Sequence, residues 1–229
     1  MKKEIVLSVL SLIIILNACA DNNSPSPNIP TDRTIGIIGC SNTFQSVYGY
    51  RWAGGNQLWF VHRDNMHDMD SGSIAEWVNN PHFWEVFDRY LTQNPQTTKV
   101  WWQLCIPQDQ SDVSSDKVFP IIQQLRQRIP NVQIYVSPLS DFPDHPCEIT
   151  GVEGVERAKS LAIELDEQYD DIHHGPILGP LYAHEIGEED HCHPNEEGMG
   201  KLGRQLKEFF DVPKENMTEI ENTSGGDSS

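Results

Sequence analysis

The sequence predicts a three-layer α/β/α domain, a parallel β-sheet covered by helices on both faces. Two observations carry this. Short apolar runs alternate with longer stretches of helical spacing, and the acidic, Pro- and Ser-rich ends of the chain leave a middle of one-domain size for them. Strands joined through helices use right-handed crossovers, which give parallel sheets buried on both sides. In chain order the expected strands are 34–39 (TIGIIG), 58–61 (LWFV), 99–105 (KVWWQLC), 132–137 (VQIYVS) and 177–183. Helical spacing falls on 73–91, 115–128, 152–168 and 195–210, with Pro81 and Pro120 breaking or starting two of these helices. No internal repeat is visible.

The two ends differ from this middle. Residues 1–18 combine Lys2-Lys3 with an apolar run too short to span a bilayer, which reads as an export signal. The run ends Leu16-Asn17-Ala18-Cys19, which resembles the lipobox of bacterial lipoproteins and implies Cys19 as the lipid-bearing residue. An ordinary cleaved signal is the alternative. Residues 19–32, with Asn22-Asn23-Ser24-Pro25-Ser26-Pro27, read as a lipid anchor and flexible tether. Residues 213–229 are acidic, Ser/Gly-rich and without hydrophobic period, so a disordered tail is expected. The folded domain is therefore 33–212, a normal size for one hydrophobic core. Asp and Glu outnumber Lys and Arg 34 to 16, a net charge of −18, which disfavours nucleic acid as a partner. The expected placement is extracytoplasmic, on a membrane through the lipid.

In open parallel sheets, reactive groups collect beyond the carboxyl ends of the strands. Gly39-Cys40-Ser41-Asn42 follows the first strand, Gln103 to Asp109 the third, and Asp141 to Cys147 the fourth. Near the C-terminus, EEDHCHPNEEGMG (188–200) places Asp190, His191 and His193 close together, just before a helix. These blocks resemble those of the SGNH/GDSL hydrolases over roughly 33–210. Ile37-Ile38-Gly39-Cys40-Ser41-Asn42-Thr43 matches the first block, with cysteine where the family has aspartate. Gly72 stands for the second block, and Asp190, His193, Pro194, Asn195 and Gly198 match the last. The third block, Gly-x-Asn-Asp, is absent as written. Val100-Trp101-Trp102-Gln103-Leu104-Cys105 is similar instead to the Trp-Tyr-Gln-Gly-Glu version of carbohydrate acetylesterases, with Gln103 in the amide role and Gln108 as competitor. The resemblance implies a flavodoxin-like sheet and a serine esterase that needs no cofactor or metal. Its substrate would be a small-molecule or carbohydrate ester.

The chemistry follows from residue types. A serine hydroxyl becomes a nucleophile when an imidazole removes its proton, and that imidazole needs a fixed tautomer. Ser41 is the expected nucleophile, His193 the general acid and base, and Asp190 the carboxylate that orients His193. The N–H groups of Ser41 and Gly72 and the Gln103 amide are the expected oxyanion donors. Asn195 and Gly198 are expected to start the last helix and let it pack closely, while His173-His174 reads as an exposed loop. Two other readings stay open. His184, Glu185, Asp190, His191 and His193 offer enough ligands for a zinc hydrolase. A catalytically decayed surface lipoprotein that binds glycans or partners would account for the missing aspartate and the rewritten third block. With Cys19 assigned to lipid, four cysteines remain in an oxidising compartment. Cys147 and Cys192 lie in loops leaving the same rim of the sheet, so a Cys147–Cys192 disulfide is expected. Cys40 and Cys105 follow neighbouring strands and form either a second bridge or a pair of buried thiols.

Overall fold

A computed structural model describes residues 33–59, 72–110, 112–188 and 191–211. The signal, tether and tail expected from the sequence lie outside these residues. Among those described, no helix is long and apolar enough to cross a membrane.

Among the described residues four parallel strands form the sheet in the order β1 (Ile35–Ile38), β2 (Lys99–Leu104), β3 (Gln133–Pro138), β4 (Ile172–His174). On the free side of β1, Leu58 makes a parallel bridge to Ile35, and the Trp59 N–H donates to the Ile35 carbonyl at 2.9 Å. The chain thus steps one way from β1 to Leu58 and the other way from β1 to β4, which is the flavodoxin-like arrangement.

Among the described residues six α-helices flank the sheet: α1 (Ser41–Trp52), α2 (Ile74–Asn79), α3 (Pro81–Gln93), α4 (Ser115–Arg128), α5 (Gly151–Gln168) and α6 (Glu196–Asp211). Opposite stepping with right-handed crossovers puts α1 on one face and α4 and α5 on the other. Helix α6 packs along α1, and its Phe210 meets Trp101 and Tyr135, in-register neighbours on β2 and β3. The α1–α6 contact is close because both helices offer glycine there. A Cβ on Gly203 would overlap the backbone of Gly49.

Several elements differ from expectation for identifiable reasons. Helix α1 is not among the expected helices, because a helix buried nearly all round, with polar Asn42, Thr43 and Ser46 inside beside Phe44, Val47 and Tyr50, carries no amphipathic period. The stretch 73–91 is two helices. Asn80 ends α2 and caps α3 by accepting the His82 N–H at 3.1 Å, and Pro81 fills the first position of α3. Pro120 instead sits within a continuous α4, on its exposed face, where the Asp116 carbonyl it leaves unbonded can meet water. The last strand is not 177–183 but β4. Pro180 within that stretch and Pro176 just before it cannot donate to a ladder. His173 and His174 are accordingly strand residues, with His173 hydrogen-bonded to Gln133 at 2.6 Å.

Candidate active site

The first turn of α1 lies beyond the carboxyl end of β1, at the point where the strand order reverses. This is the crevice in which open α/β sheets bind ligands. Gly39 turns the chain out of β1 with φ +150°, and a side chain there would collide with Thr43. The Gly39 carbonyl accepts the Trp77 indole N–H at 3.0 Å and the Gly72 N–H at 2.9 Å. Cys40 caps α1. Its N–H donates to Thr43 Oγ1 at 3.0 Å, and its sulfur is bonded to Cys105, just past β2. Ser41 is therefore the first residue of a helix anchored on both sides.

Ser41 Oγ lies 2.5 Å from His193 Nε2, a contact between residues 152 positions apart. The His193 backbone is fixed on each side. Cys192 is bonded to Cys147, Ile186 and Pro194 form an antiparallel bridge, and the Gly187 N–H donates to the His193 carbonyl at 2.8 Å. Beyond Pro194, Asn195 caps α6. Its Oδ1 accepts the N–H groups of Glu197 and Gly198 at 3.0 and 3.1 Å, and its Nδ2 donates to the His184 carbonyl at 2.7 Å. Gly198 lets α6 start against the Glu185 carbonyl, which a Cβ would overlap. Asp190, the expected orienting carboxylate, lies outside the described residues. His191 is exposed, with φ +50°, and its ring neighbours His145 rather than the serine.

A pocket of about 180 Å³ opens at Ser41, walled by Asn42, Gly72, Ser73, Ile149, Thr150 and the sulfur-bearing residues Cys40, Cys105 and Cys192. As a first-turn amide, the Ser41 N–H has no carbonyl four residues back within the helix. The other two expected oxyanion donors are differently engaged. The Gly72 N–H is taken by Gly39, as above. Gln103 is fully buried and does not line the pocket. Its Oε1 accepts the Thr43 hydroxyl at 2.9 Å, and its Nε2 faces the Pro138 carbonyl at 3.5 Å. Alternation along β2 turns Gln103 beneath the first turn of α1, so it supports that turn from below. Gln108 donates to the Glu148 carbonyl at 2.9 Å and pins the loop after β3. The sequence reading missed Gln110, whose Nε2 reaches Ser73 Oγ at 3.3 Å on the pocket wall. No spacing rule marks that residue.

Of the expected metal ligands, His184 and Glu185 approach Glu197, with ligand atoms within 4.8 Å of one another, while His193 faces Ser41 instead. The Glu185 carboxylate is already bonded to Lys201 at 2.8 Å and to the Tyr182 N–H at 2.9 Å. Burial pushes the Glu185 carboxyl up, but Lys201 and the Tyr182 N–H outweigh it and hold it below its ordinary value. Glu185 is thus a structural anion beneath the histidine loop.

No protein-family model and no curated protein matches the chain. Among solved structures, it is similar to a Clostridium thermocellum family 3 carbohydrate esterase, with TM-score 0.49 and 14% identity over 84% of this chain and 98% of that one. A likeness this faint adds no weight, and any functional reading rests on the Ser41–His193 geometry.

Proposed function

We propose that the protein is a serine ester hydrolase of SGNH type, acting on small acyl esters of a carbohydrate and tethered outside the cell through a lipid on Cys19. The observation that carries the reading is the Ser41 Oγ–His193 Nε2 contact of 2.5 Å at the reversal point of the sheet. A serine and an imidazole so placed, with a pocket beside them, are the parts acyl transfer needs.

In this reading His193 Nε2 takes the proton of Ser41 as Oγ attacks the acyl carbonyl. The tetrahedral intermediate places its negative oxygen near the N-terminus of α1, where the Ser41 N–H and the helix dipole favour charge. Collapse expels the alcohol, which receives the proton from His193 and leaves an acyl-serine. Water then repeats the sequence, with His193 again as base, and releases the acid. Asp190 takes the orienting role at Nδ1. The small pocket volume favours a short acyl group such as acetyl.

A series of p-nitrophenyl esters of increasing chain length, run beside acetylated xylan, tests the reading. Hydrolysis confined to short chains and acetylated glycan is expected. Activity that survives Ser41→Ala but disappears on chelation would replace it with the metal reading. Detergent-phase partitioning of the wild type against Cys19→Ser tests the anchor, with only the wild type expected in the detergent phase.

A further inference from the structure

We propose that a groove beside the Ser41 pocket is a binding subsite for the part of the substrate remote from the ester, a neutral, hydroxyl-rich chain such as an oligosaccharide. The inference rests on the ester-hydrolase reading and adds where the rest of the substrate lies.

A cavity of about 320 Å³ opens between the loop after β3 and the first turns of α5, bounded by Asp141, Phe142, Pro146, Val152, Val155 and Glu156. It adjoins the Ser41 pocket through one short segment. Cys147 lines the groove while its disulfide partner Cys192 lines the pocket. Ile149 and Thr150 face the pocket, and Gly151 faces the groove. Two apolar side chains stand exposed along this divide, Ile149 at 47% and Val152 at 61%. A ligand too long for the pocket at Ser41 would cross them to reach the groove.

The chemistry of the walls selects the ligand. The floor is apolar, suited to the C–H face of a sugar ring, and large enough for a specific ligand contact. At its edge stand two carboxylates, both bonded by Lys159, Asp141 at 2.7 Å and Glu156 at 2.9 Å. Lys159 holds them in place, and each retains lone pairs beyond that bond. Acceptors beside an apolar floor fit hydroxyl donors. An alkyl chain would desolvate both carboxylates without compensation. An anionic chain would meet them in a protein of net charge −18.

The test uses Val152→Asp and Glu156→Gln, both at exposed positions of α5. For each, kcat/KM is measured on acetylated xylotetraose and on p-nitrophenyl acetate. The ratio of the two is expected to fall about tenfold or more, through KM for the tetrasaccharide. A ratio unchanged in both variants overturns the subsite. Independently, unesterified tetrasaccharides of xylose, glucose and N-acetylglucosamine are titrated into the Ser41→Ala protein, with the Val152 and Val155 methyl resonances observed. Shifts with at least one neutral sugar are expected, and none at millimolar concentration with any of them overturns the proposal. This arm needs no turnover. An inactive wild type that still binds sugar here would fault the esterase reading alone, and an active one that does not would fault the subsite alone.

Discussion

Cys40, the residue before Ser41, is bonded to Cys105 at the exit of β2, with Cα atoms 6.1 Å apart. The bridge spans the point where the strand order reverses, and so ties the start of α1 to the neighbouring strand. It closes a loop of 65 residues, for which chain-entropy arguments give about 4 kcal/mol. The Cys40→Ser/Cys105→Ser double variant is expected to lose stability of that order in thermal or urea unfolding. It should also lose kcat per folded molecule, because the cap that places Ser41 is loosened. Equal activity and equal unfolding midpoints would show that the bridge holds nothing in place.

Ser41→Ala and His193→Ala should each lower kcat by about 10³-fold or more while the fold persists, since both act on one proton-transfer step. The double variant should be no slower than either single one. Steady-state rates on p-nitrophenyl acetate, with circular dichroism as the folding control, check this. Multiplying losses would mean that the two residues act separately.

Gln103→Ala separates a support from an oxyanion donor. Its amide is hydrogen-bonded to Thr43, which in turn receives the Cys40 N–H. Removing it strands buried polar groups at a cost of about 1–3 kcal/mol. The expected result is a lower unfolding midpoint, with kcat of the folded protein changed less than about tenfold. A fall in kcat of about 10²-fold or more at unchanged stability would return Gln103 to the oxyanion hole.

Stability should fall in acid partly through Glu185. Its carboxyl is held below its ordinary value in the folded protein, so its contribution is present above that value and is lost as pH falls through the lowered one. Glu185→Gln should remove this part of the acid dependence and cost roughly 1–3 kcal/mol near neutral pH, where the Lys201 bond is intact. Urea unfolding of both proteins from pH 7 down to about 3 reads it. Parallel curves would place the acid sensitivity elsewhere.

Much of the sheet was legible because its signals are local, whereas Ser41 and His193, which the structure brings together, were singled out through the order of the family-like blocks. Apolar runs ended by Gly39 or followed by the Asp141 loop mark strands, and Pro194-Asn195 before Gly198 marks a capped helix behind His193. The structure joins Cys147 to Cys192, a pairing readable from two loops on one rim. What stayed hidden depends on three-dimensional surroundings. Helix α1 carries no stripe because the sheet and α6 bury most of its circumference. Gln103 reads as an active-site amide by motif, yet strand alternation turns it under Thr43. The weak strand at 177–183 had enough apolar residues, but Pro180 within it and Pro176 before it bar the ladder, and the pairing falls to the short β4 instead.

The central claim is that Ser41 is a nucleophile activated by His193, and covalent labelling tests it most directly. A fluorophosphonate should form one adduct per chain, with Ser41 Oγ displacing fluoride, and peptide mass spectrometry should place it on the peptide containing Ser41. His193→Ala should slow labelling by about 10²-fold or more. A protein that hydrolyses esters yet stays unlabelled, or that labels at another residue, would contradict the account.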